Sequence, residues 1–159
     1  MKKTIAVTLL LAASLCAQSS TKLVVVNKGE NTLANVDVET GKVLGRATTG
    51  EGPHEVVTSA DGKSAYVSNY GSREPGHTLS VVDLATYQAS QVELGPLRRP
   101  HGLAEHDGQI YITAEMNKLI ASYDPASDRV DWLMGTGQNA THMVIVSRDG
   151  SRMFTAKTR

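Results

Sequence analysis

Beyond residue 20 the chain alternates short apolar runs with polar turns, and no stretch keeps the i, i+3, i+4, i+7 spacing of an amphipathic helix. The runs are rich in Val, Ile, Thr and Tyr and are broken by Asp-Gly, Thr-Gly and Asn-containing turns, which predicts short strands joined as hairpins. Three runs share one design. PHEVVTSADG (53–62), PHGLAEHDG (100–108) and THMVIVSRDG (141–150) each open on a histidine and close on Asp-Gly. A second run follows each of them: SAYVSNYG (64–71), QIYITAEM (109–116) and SRMFTAKT (151–158). A third run is TLSVVDLAT (78–86), matched by KLIASYDPAS (118–127) and, earlier, by TLANVDVETG (32–41). A fourth is YQASQVELG (87–95), matched by RVDWLMGTG (129–137) and KVLGRATTG (42–50). Each unit is therefore four strands.

The histidines His54, His101 and His142 are 47 and 41 residues apart, the longer interval holding the extra SREPGH (72–77). Four-stranded units at a period of about 40 to 50 residues predict the blades of an all-β propeller, with antiparallel strands in each blade. The expected divisions are an incomplete blade at 21–52, full blades at 53–99 and 100–140, and the start of a further blade at 141–159. That is about three blades, an open arc. Closed propellers have typically four to eight, so the chain reads as a fragment or early-terminated product.

AYVSNYG, set between GPHEVVTSADGK and TLSVVDLATYQ, resembles the YVTN-type β-propeller repeat. The resemblance covers essentially all of residues 21–159. Ala60 and Arg148 depart from the family's proline, and TAEM and TAKT from its Asn-containing turn. It implies the fold and leaves function open, because propellers carry many unrelated activities. Relatives of this kind are roughly twice as long, which is consistent with a truncated arc.

Composition narrows the setting. The net charge is zero, with 40% hydrophobic and 4% aromatic residues, so a globular chain is expected and no charge asymmetry points to nucleic acid. MKKTIAVTLLLAASLCAQSS has the lysines, apolar run and small polar residues of a secretory signal peptide, placed at 1–18, and the run is too short for a permanent membrane span. The mature protein is expected outside the cytoplasm, in the periplasm, at the cell surface or secreted, with no transmembrane segment. Cys16 is the single cysteine. Leu15 stands where a lipoprotein signal wants a small residue, which argues against a lipid anchor there.

Alternating strand directions put His54, His101 and His142 at the starts of the innermost strands, on one face of the arc. The same face should receive Arg73, Glu74 and His77 of the insertion, Arg98 and Arg99 of the linker, and Glu115. Two readings of the repeated histidine follow. As architecture, the ring packs between blades and hydrogen-bonds a neighbouring strand's backbone, and repetition favours this. As chemistry, His54, His101 and His142 would hold a divalent metal through neutral imidazoles. Alternatively, the rings and Arg73, Arg98 and Arg99 would hold an anion. No cofactor is demanded by the sequence.

Other residues read as structural. Asp61, Asp107 and Asp149 belong to Asp-Gly turns, and Asp37, Asp83 and Asp124 to Asx-type turns after third strands. Tyr66, Tyr111 and Phe154 suggest a repeated packing position, His106 a solvated site, and Trp132 has no assigned role. No Ser-His-Asp order, nucleophile elbow, phosphate loop or HExxH occurs. The expected function is a binding scaffold that takes a protein or small-molecule ligand at the His/Arg rim. The alternative is part of a propeller enzyme, since the chain also looks somewhat like lactonase-type and quinone- or haem-d1-type oxidoreductase propellers. A metal-dependent lactonase would want rim carboxylates, and only Glu55, Glu74 and Glu115 are offered.

Overall fold

The computed structural model describes residues 21–158; the expected signal segment and Cys16 lie outside them. Among the described residues every element is a strand, and no helix is long and apolar enough to cross a membrane. A three-stranded sheet holds β1 (Lys22–Asn27), β2 (Thr32–Asp37) and β3 (Val43–Thr48). A four-stranded sheet follows, with β4 (Pro53–Thr58), β5 (Ser64–Gly71), β6 (Pro75–Asp83) and β7 (Ala89–Glu93). The next sheet repeats it as β8 (Pro100–His106), β9 (Gln109–Ala114), β10 (Leu119–Asp124) and β11 (Arg129–Gly135). A final pair is β12 (Thr141–Val146) and β13 (Met153–Lys157). Within each sheet every strand pairs antiparallel with the next in sequence, so every blade is a meander.

The hairpins follow from their turn residues. Asp107 and Gly108 both take left-handed φ values, 49° and 81°, as a two-residue primed turn requires. Asp83 Oδ1 accepts from the Ala85 and Thr86 amides at 2.9 and 2.7 Å, and Asp124 accepts from Ala126 in the same manner. Hydroxyl and amide donors around Asp61 and Asp149 hold both carboxyls down at about 2.

Blades stack face to face. Leu33, Ala47, Ala65, Val67 and Val82 fill the space between the first two sheets. Leu79, Leu94, Leu97, Leu103, Ile110 and Ile112 fill the next, joined by Tyr66 and Tyr123. Strands β4, β8 and β12 adjoin one another and form the inner side of the arc. Phe154 does not share the packing of Tyr66: it is 55% exposed, and Ile145 is 64% exposed on the paired strand. These uncovered side chains predict association in solution. Residues 19–159 should elute from a sizing column as mixed associated species; a sharp monomer peak with cooperative melting would refute this.

Candidate functional site

Each inner strand begins with the same local irregularity. Between Pro53 and Val56, Pro100 and Leu103, and Thr141 and Met143, the inner strand carries one residue more than its partner, a β-bulge that contains the histidine. A bulge interrupts the ladder and re-aims a side chain. Here the lost ladder partner is replaced by a hydroxyl. Ser68 Oγ accepts from the Glu55 amide at 3.1 Å, and Thr113 Oγ1 from the Gly102 amide at 2.8 Å. The same hydroxyls donate onward to the next blade, Ser68 to the His101 carbonyl at 2.7 Å and Thr113 to the His142 carbonyl at 2.6 Å. In the last pair the equivalent position is Ala156, which has no hydroxyl, and Thr155 one residue earlier donates to the Met143 carbonyl of its own partner strand. Tyr66, Tyr111 and Phe154 pair with the residue three beyond each histidine, Val57, Ala104 and Ile145, so the three aromatic residues hold one ladder position.

The residue two before each histidine is left-handed: Gly52 at 62°, Arg99 at 57° and Ala140 at 50°. Only the first is a glycine, which takes this conformation without a Cβ penalty. Ala140→Gly is therefore expected to raise the unfolding free energy by ~0.5 kcal/mol, after the glycine's own entropy loss is subtracted. Urea denaturation measures it, and a lowered midpoint would contradict it.

The bulges bring the three rings together. His54 and His101 have centroids 3.8 Å apart, and His101 and His142 3.7 Å, so the rings form a continuous stack across three blades. His101, in the middle, is only 2% exposed. Its Nδ1 and that of His54 are buried and have no hydrogen-bond partner. Architecture thus explains the stacking and leaves the nitrogens unexplained, because the bonds between strands are made by hydroxyls instead of the rings. Burial, then the neighbouring His54 and His142 rings, push the His101 pKa down to about 4 and keep it neutral. Burial and Lys28 also lower His54.

A second row runs beside the stack and differs in every blade. Two residues beyond Val26, Ser68 and Thr113 come Lys28, Tyr70 and Glu115. The Lys28 ammonium lies 5.1 Å from the Tyr70 ring centroid, and Tyr70 Oη donates to Glu115 Oε2 at 2.7 Å. The other Glu115 oxygen, Oε1, lies 2.5 Å from His142 Nδ1. Burial works against the Glu115 charge, but the Tyr70 and His142 hydrogen bonds prevail and hold its carboxyl below the usual range. The Tyr70 ring also meets His54 and His101 at 5.4 and 5.5 Å, and carries the Arg99 guanidinium at 4.6 Å.

Of the residues nominated from sequence, His54, His101, His142 and Glu115 share one cluster, and Arg99 reaches it through Tyr70. His77 is 3.4 Å from Glu93 on β7, on the outer half of its blade. Arg98 turns onto the Gly95 and Leu97 carbonyls, and Arg73 is exposed in the β5–β6 turn. Tyr70 and Lys28 were not nominated. Aligning the repeats two residues beyond Val26, Ser68 and Thr113 exposes them, because that column changes from lysine to tyrosine to glutamate. His106 packs closer than a solvated residue would: a Cβ on Gly150 of the next blade would stand 2.6 Å from its Nε2.

A cleft of about 620 Å³ lies at the other end, between the Asp61 and Asp107 turns. Its carboxylates are already employed. Asp61 binds Ser59 and the Lys63 amide, Glu105 the Gly108 amide, and Asp124 the Ala126 amide. The cleft is a gap between turns, whereas the inner rim has polar atoms without partners.

No family model and no curated protein matches the sequence. Among solved structures the chain is similar to Kuenenia stuttgartiensis hydrazine synthase, a β-propeller-containing protein, with a TM-score of 0.76 and 23% identity over 84% of this chain. The match spans 38% of that chain. At that identity the likeness establishes the β-propeller fold, of which residues 21–158 form an open arc.

Proposed function

We propose that the chain is a YVTN-type, extracytoplasmic binding protein whose ligand, a small molecule or a protein segment, docks at the inner rim around His54, His101, His142, Tyr70, Glu115 and Arg99. One observation carries this reading: beside a repeated histidine row stands a row that is different in each blade. A purely architectural feature recurs, whereas a site for one asymmetric ligand needs unlike groups at equivalent places. Lys28, Tyr70 and Glu115 supply a cation, a hydroxyl-bearing ring and an anion. The buried, unpartnered Nδ1 of His101 adds polar capacity beside a cleft lined by Lys28, Tyr70 and Arg99, and clefts are where ligands are generally held. The signal-like N-terminus supports export, and the AYVSNYG repeat supports the family.

The test is imidazole-detected NMR of the histidine-labelled chain in chelator, titrated with carboxylates, phosphate and short peptides. Perturbation of His54, His101 and His142, with His77 and His106 unmoved, is expected. Shifts confined to His106, which adjoins the opposite cleft, would reject the rim as the binding end.

A further inference from the structure

We infer that His101, Glu115 and His142 bind a divalent transition metal, zinc in the first instance, at the inner rim. The inference rests on the rim being the ligand-binding end, and it names the ligand class. Each residue offers a donor atom, and these atoms lie within 4.8 Å of one another. They come from β8, the turn after β9, and β12, so packing of two blades assembles the set.

Two imidazoles and one carboxylate suit borderline divalent ions, and three protein ligands leave a fourth position for water or a ligand. Zinc–nitrogen bonds of about 2.0–2.1 Å separate tetrahedral donors by roughly 3.3 Å. The Glu115–His142 contact would open and the His101 ring would draw in.

Three features favour the ion over a simple carboxylate–imidazole pair. His101 is 98% buried with an unpartnered Nδ1, which costs stability unless something binds it. Tyr70 holds Glu115 Oε2 and leaves Oε1 for the metal, the outer hydrogen bond that orients a ligating carboxylate. The cations Lys28 and Arg99 lie over the Tyr70 ring and can balance the charge of a ligand on the ion.

His54, Glu55 and His101 form a second group within the same spacing. Glu55 lies 3.7 Å from His54 and has no hydrogen bond comparable to that from Tyr70, so the Glu115 group is the better ligand set.

The experiment is zinc chloride titration of the chelator-stripped full chain, followed by calorimetry and by histidine imidazole NMR. One ion per chain is expected, with shifts on the His101 and His142 nitrogens. Glu115→Gln and His142→Gln should each weaken binding about 100-fold, and Tyr70→Phe about 10-fold. Cobalt(II) should give the intense visible absorption of a tetrahedral site in the wild type and lose it in Glu115→Gln. Absence of binding by folded wild-type protein, or shifts confined to His54, His77 or His106, overturns the inference. The wild-type spectra decide this even where a variant does not fold. If the rim responds to the non-metal probes and not to zinc, the metal inference alone fails. If neither reaches the rim, the functional reading fails with it.

Discussion

Gly102→Ala should destabilise the protein by ~3 kcal/mol, the upper end of what overpacking a tight contact costs. A Cβ there would stand 2.5 Å from the His142 carbonyl oxygen and 2.7 Å from the Met143 Cα. Both are backbone atoms of the next blade, so no side chain can rotate away. The strands must separate, and the hydroxyl bridge from Thr113 to the His142 carbonyl is strained with them. Urea unfolding reads the loss. Zinc affinity should fall in parallel, because the displacement lies between His101 and His142. A variant as stable as the wild type would mean that the two inner strands are not held at this distance in solution. Gly62→Ala is the useful contrast: its Cβ meets nothing, so only the penalty of its positive φ of 69° remains.

In metal-free protein with chelator present, the unfolding free energy should fall by ~3 kcal/mol between pH 7 and pH 4, at 1.36 kcal/mol for each unit separating the folded and unfolded pKa of His101. The folded ring titrates at about 4, against an ordinary 6.5. Between those values the unfolded chain binds a proton that the folded ring refuses, so acid favours unfolding. Above 6.5 both states are neutral and the dependence disappears. The groups facing the ring agree in sign for the most part: His54, His142 and Lys28 oppose its protonation and Glu115 favours it. His54 is shifted in the same direction, which deepens the fall. His101→Leu, which keeps an apolar body in the stack, should flatten much of the profile. Denaturation midpoints across this range test the idea, and a wild-type profile without slope would show that the ring is hydrated.

Much of the fold was legible because propeller blades are local. Within a blade each strand pairs with its neighbour in sequence, so Asp107-Gly108 or the Asp83 turn fixes a hairpin through the few residues around it. The repeated histidine was legible for the same reason. Phe154 shows the limit: it holds the ladder position of Tyr66 and Tyr111, yet it is exposed where Tyr66 is buried, because register is local and burial depends on what packs against the sheet. His77 and Arg98 were nominated for lying on the correct face. A face is wide, however, and the pairing of His77 with Glu93 places it at the outer edge.

By itself the sequence determined an all-β chain, its four-stranded period and the recurrence of one histidine per unit. These are set by alternating apolar positions and by turn residues acting over a few residues of chain. Only the tertiary structure decided that the three rings stack, that His101 is buried with an unpartnered nitrogen, and that Tyr70 and Glu115 close the cluster. Those facts depend on bulges and hydroxyl bridges that lock residues some 30 to 50 positions apart at ångström distances, and strand-by-strand patterning carries no information about how far one blade stands from the next.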